Sequence, residues 1–204
     1  MRDGFLKIGL LPAILILIMI AFEPPGVSLP SLTAAVIHEC GHLFAARLLK
    51  IELRSLDIGP LGATIRTRGS LISYGCEWLL CAGGPAANLA SGAAAYMIFH
   101  GSERFTPGGT AFGFCSVSLM LALLNLLPVE GFDGGRMLYA AVGSLAGPRA
   151  ARGLLSFCSV ISLCGLWMLS VYLLLRWGAS LSLFIFSASV FCRIFIESDE
   201  HGGI

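Results

Sequence analysis

Long apolar runs, almost uninterrupted by charge, decide what this chain can fold into. Residues 5–22, 31–49, 77–100, 110–127, 154–175 and 178–196 form such runs. Each approaches or exceeds about 18 residues, the length that reads as a membrane span. Charged residues make up only 12% of the 204-residue chain and hydrophobic residues 56%; a soluble domain carries about twice that charge. The expected fold is an all-α polytopic integral membrane protein of about six transmembrane helices. It reads as one membrane-embedded domain over residues 1–204. A net charge of +1 without a basic patch gives no reason to expect a nucleic-acid partner.

Between the runs the chain is punctuated. Residues 5–22 have a basic flank, Arg2 and Lys7, but "EPPG" follows them where a signal peptide would have a small-residue cleavage site. They therefore read as a retained span. Residues 51–76 are more polar, and "GATIRTR" alternates Ala63 and Ile65 with Thr64 and Arg66. That period predicts a short β-hairpin at the membrane surface. "GGPAAN" and "ASGAAA" lie in 77–100, and small residues of this kind let helices approach closely. The run 110–127 leads into "NLLPVEGFDGGR", where Pro128, Gly131, Gly134 and Gly135 must break the helix. "RMLYAAVGSLAG" resumes it as a short helical piece, and the tail "ESDEHGGI" is polar. No internal repeat and no second soluble domain is visible.

The seven cysteines are Cys40, Cys76, Cys81, Cys115, Cys158, Cys164 and Cys192. None forms a C-x-x-C pair and most lie in apolar runs, so they read as packing residues. Lysine and arginine set the orientation. With six spans, one side receives Arg2, Lys7, Arg47, Lys50, Arg54, Arg66, Arg68, Arg136, Arg149, Arg152 and Arg193. The other side receives only Arg104 and Arg176. The positive-inside bias places both termini in the cytoplasm.

One run carries chemistry. "AVIHECGHLFAARLL" holds His38, Glu39 and His42 inside an apolar helix. At about 100° per residue, His38 and His42 stand one turn apart, about 40° around the axis, and Glu39 lies about 60° from His42. Cys40 points away from the pair. This is the H-E-x-x-H arrangement, two neutral imidazoles on zinc with a glutamate beside the metal-activated water. Chance supplies such a match in roughly one chain in a hundred of this length. A buried acid at mid-membrane also costs about 2.5–3.5 kcal/mol, so it marks function by default. A catalytic zinc site takes three protein ligands and keeps an open position. His100 and His201 read as surface residues, which leaves Glu130 and Asp133 in the broken segment as acids near the membrane interior. Unwound backbone at that depth is tolerated where it lines a watery cavity.

"HECGH", "GGPAAN" and "NLLPVEGFDGG", in this order and spacing, resemble the site-2 protease family of intramembrane zinc metalloproteases. The likeness covers residues 32–138 and is similar in plan to a compact six-span branch that includes a sporulation protease acting on a pro-sigma factor. Residues 5–22, 154–175 and 178–196 are then helices outside that core. The resemblance implies one Zn2+ per chain, held by His38, His42 and Asp133, with Glu39 as the catalytic base. Asn88 matches a family asparagine near the active site, either donating to an oxyanion or substrate backbone or making an interhelical hydrogen bond. The implied substrate is a membrane protein, cut in or near a transmembrane segment, such as a membrane-tethered transcription regulator. The implied location is a bacterial cell membrane, with the active site nearer the cytoplasmic side. The chain shows neither a PDZ nor a cystathionine-synthase-type domain, so substrate choice falls to the membrane core or to a regulatory membrane partner. Glu130 stands where the family often has an apolar residue or proline. Two other classes share parts of the pattern. A transporter also uses broken helices with buried acids, but inverted repeats are missing. An inactive client-binding pseudo-protease would not need His38, Glu39, His42 and Asp133 intact.

Overall fold

The computed structural model describes residues 6–8, 25–51, 53–59, 62–67, 72–102 and 105–177. The chain divides into two compact units, Met1–Leu126 and Leu127–Ile204.

Among the described residues the first unit holds three helices and a small sheet. Helix α1, Pro25–Leu48, starts earlier than the expected span at residue 31. Pro25 stands at the first helical position, where a missing N–H costs nothing and its fixed φ suits the helix. At the other end Ile51 N–H bonds to Ala46 O and Lys50 N–H to Arg47 O. Lys50 adopts φ 54. This is a left-handed stop of the Schellman type. The expected span over 5–22 is corrected at its start, because Leu6–Ile8 is a strand, β1; residues 9–24 lie outside the described residues. β2, Leu53–Gly59, and β3, Gly62–Thr67, pair antiparallel, with Ile65 opposite Leu56 and Gly59 opposite Gly62. β1 joins β2 in parallel, giving the order β1-β2-β3.

Helix α2, Tyr74–Phe99, is capped by Ser73, whose Oγ accepts from the Cys76 N–H. A side-chain acceptor at that position satisfies one of the orphan amides of the first turn. Helix α3, Thr110–Asn125, ends two residues before the expected boundary, where Asn125 Nδ2 folds back onto Leu121 O at 2.9 Å. Each of these three helices packs on the other two. The buried positions fall in stripes. Ala34, His38, His42 and Ala46 are buried along α1, and Leu80, Gly84, Asn88 and Gly92 along α2. Four-residue spacing puts each set on one helical face. The two helices touch through glycines. A Cβ on Gly41 would collide with Gly83 O, and one on Gly83 would lie 2.6 Å from Gly41 O. Cys115 Sγ donates to Gly92 O at 3.3 Å, tying α3 to α2.

The second unit begins with the break. Leu127 to Phe132 is irregular, Gly131 has φ 91, and helix α4, Asp133–Trp177, follows at once. Gly147, at φ 82 and ψ 168, interrupts it just before Pro148. Proline excludes the helical region for its predecessor, and glycine accepts the positive φ that results. So the expected short piece and the span at 154–175 are two arms of one kinked element, and both arms are longer than expected. Ser159 clasps the break, its Oγ accepting the Glu130 N–H at 2.9 Å and donating to Pro128 O at 3.4 Å. A Cβ on Gly135 would strike Val129 O, so the first turn of α4 lies hard against the break. Beyond the kink Ala151, Leu155, Ser159 and Leu163 are buried, while Phe157, Ile161 and Met168 are exposed. A helix apolar on both faces is suited to lipid on the outer one. Asp133–Tyr172 is, among the described residues, the stretch long and apolar enough to cross a membrane. The expected sixth span at 178–196 lies outside the described residues.

Candidate metal centre

The pair sits where the α1 and α2 stripes face one another. His38 and His42 are 5% and 7% exposed. Their Nε2 atoms lie 3.2 Å apart and their rings are edge to face, at 83°. Two imidazole nitrogens on one tetrahedral zinc, each about 2.0–2.1 Å from the ion, are about 3.3 Å apart. The sequence spacing therefore becomes a pair of ligand atoms at the separation one ion requires.

Helix α2 supplies the supports, one per turn. His42 Nδ1–H donates to Leu80 O at 2.8 Å. A carbonyl only accepts, so this bond puts the His42 proton on Nδ1 and leaves a lone pair on Nε2. One turn on is Gly84. A Cβ there would strike His42 Nε2 and stand 2.7 Å from His38 Nε2. Only hydrogen leaves the space over both nitrogens open, and an ion needs that space. One further turn on, Asn88 Nδ2 donates to His38 Nδ1 at 3.2 Å. Asn88 is fully buried, and its Oδ1 has no hydrogen-bond partner. The donor set, the nitrogen separation and the Gly84 cradle fit a divalent metal ion.

Glu39 lies on the same turn of α1, half-buried. Cys40 is exposed and turned from the pair, and none of the six described cysteines forms a disulfide. His100, set aside as a ligand, is exposed at the end of α2, in tilted ring contact with Tyr96 and Phe105. Asp133 belongs to the second unit and opens α4, half-buried, two residues after the positive-φ turn at Gly131. Glu130 is exposed, its backbone N–H held by Ser159. So the structure brings together His38, His42 and Asn88. Leu80 and Gly84 are the supports that sequence reasoning missed. Their only signal was the four-residue step Leu80, Gly84, Asn88, which places all three on one face.

No family model matches the chain, and no curated protein matches it. Among solved structures it is similar in fold to the site-2 protease from Methanocaldococcus jannaschii. The two share 19% sequence identity with a TM-score of 0.60, over 94% of this chain and 90% of the other. The fold expected from the motifs and the fold found by shape thus agree.

Proposed function

We propose that this chain is an intramembrane zinc metalloprotease. It hydrolyses a peptide bond in or near a transmembrane segment of a membrane-protein substrate, such as a membrane-tethered transcription regulator. The observation that carries the reading is the His38–His42 pair, with Nε2 atoms 3.2 Å apart under a glycine that keeps the space above them clear. The fold shared with a site-2 protease supports it.

His38 and His42 would hold the ion through Nε2, with Asp133 as the third ligand. Two imidazoles leave a catalytic zinc site one protein ligand short, and a carboxylate at the start of α4 is the donor the motif resemblance assigns. When bound, the ion supplies Lewis acidity that polarises the scissile carbonyl and lowers the pKa of a water to about 7. Glu39 accepts that water's proton and later delivers it to the leaving amine. A peptide bond within a helix is shielded by its own hydrogen bonds, so the substrate must be extended to be cut. Among the described residues β3 pairs on one side only, with β2, which suits holding an extended strand by edge pairing. The remaining spans, to a total of about six, embed this core with both termini in the cytoplasm of a bacterial cell. Substrate choice falls to this membrane core or to a regulatory membrane partner.

Glu39→Gln tests the base. Glutamine keeps the volume but cannot accept the proton, so the variant retains zinc and loses proteolysis, by about 10²-fold or more. Purified wild type and variant are compared at matched zinc content on a reconstituted membrane substrate. Equal cleavage would remove Glu39 from the mechanism.

A further inference from the structure

The Asn88 side chain makes one hydrogen bond and leaves one buried acceptor unused, and both facts bear on how His38 presents itself to a ligand. The pattern around the pair is a chain of donors. Asn88 Nδ2 donates to His38 Nδ1, and His42 Nδ1 donates to Leu80 O. With Nδ1 accepting from Asn88, a neutral His38 carries its proton on Nε2. A protonated Nε2 cannot bind a metal.

For His38 to ligate, its proton must sit on Nδ1, and Nδ1–H then needs an acceptor. The group that faces it, Asn88 Nδ2, is itself a donor, so the two would oppose each other in a buried site. The atom that resolves the clash belongs to the same side chain. Asn88 Oδ1 is buried and without a hydrogen-bond partner. A half-turn of the amide exchanges Oδ1 for Nδ2 with no change of shape, and turns a donor to His38 into an acceptor. Aspartate or a hydrophobic side chain offers one of these states or neither.

We infer that Asn88 is a positioning residue for the metal: its amide turns so that Oδ1 accepts the His38 Nδ1–H, fixing the tautomer that frees His38 Nε2 to bind zinc. The inference rests on the zinc-protease reading and assigns Asn88 to the metal rather than to the substrate. Outer partners that fix a ligating imidazole typically contribute 10–100-fold in metal affinity.

The test measures zinc affinity of the full chain by chelator competition, with cobalt(II) absorption as the reporter of site geometry. Wild type, Asn88→Asp and Asn88→Leu are compared. Asp keeps the acceptor and loses the donor; Leu loses both at similar volume. Asn88→Leu should bind zinc about 10–100-fold more weakly and alter the cobalt spectrum. Asn88→Asp should bind at least as tightly as wild type. In parallel, 15N-histidine NMR of the wild type should show His38 with Nε2–H when metal-free and Nδ1–H when zinc-loaded. That readout needs no variant to fold. Unchanged zinc affinity in Asn88→Leu overturns the inference, as does an Asp variant as weak as Leu, or a loaded His38 without Nδ1–H. Loss of turnover in both variants at wild-type zinc affinity would return Asn88 to the substrate. A wild type that takes up no zinc would instead overturn the protease reading beneath it.

Discussion

The chemistry is concentrated in the spacing of a few side chains. His38 and His42 were legible because a four-residue step on a helix stacks two side chains, and because polar groups inside an apolar run have to be explained. Asn88 was legible as part of a motif, but its partner was not, since the contact crosses 50 residues of chain. Leu80 was hidden for a different reason: it acts through its backbone carbonyl, which every residue has. Gly84 was visible as one small residue among many, and its position over the nitrogens appears only once α1 and α2 are packed. Gly84→Ala tests that position. The added methyl would occupy the space between the two Nε2 atoms, so zinc affinity should fall more than about tenfold. Gly75→Ala is the control, because a Cβ there meets nothing within 4 Å. It should bind zinc normally and gain up to about 1 kcal/mol of helix stability. Normal zinc binding by Gly84→Ala, measured beside that control, would remove the cradle from the account.

At the level of elements, type was easier to read than ends. Helices α1, α2 and α3 fall on expected apolar runs, yet α1 and α2 both start earlier than hydropathy indicated. Pro25 and Ser73 are start signals that act through backbone geometry and capping and carry no hydrophobic contrast. Leu6–Ile8 was read as the start of a span because so short a stretch, with Leu6 and Ile8 apolar around Lys7, fits a strand and a helix equally well. Its pairing with β2 is a long-range fact that local pattern does not contain. The small-residue run in α2 was read as a site of close approach, and the contact of Gly41 with Gly83 is that approach. Gly83→Ala would place a methyl 2.6 Å from Gly41 O and 2.9 Å from Ala45 Cβ. Overpacking of this kind costs about 1–3 kcal/mol. The unfolding midpoint in detergent should drop accordingly, and adding Gly41→Ala should cost less than the sum of the two, since both widen one contact. An unchanged midpoint would show that the helices have slack there.

For the whole molecule the central matter is where the reactive end stands relative to the bilayer. Helix α1 ends at the basic group Arg47 and Lys50, with His42 about 7.5 Å of helix rise from Arg47. On the proposed six-span topology the positive-inside bias assigns that end to the cytoplasm, so His38 and Glu39 should lie nearer the cytoplasmic face. Single cysteines at Ser55 and Ser102, in a background with all seven native cysteines replaced, report the two sides. An impermeant thiol reagent added to intact cells should label position 102 and spare position 55. Labelling of position 55 from outside would invert the topology.

The most direct measurement is bound zinc per purified chain after mild chelation, in wild type, Asp133→Ala and Glu130→Ala. Both acids are hard oxygen donors near one break in the chain, so their chemistry does not choose between them. The account predicts one zinc per wild-type chain, a strong loss in Asp133→Ala where two imidazoles remain alone, and near-wild-type content in Glu130→Ala. A proteolytically active wild type free of zinc would contradict the account. So would a Glu130 variant that loses metal while the Asp133 variant keeps it.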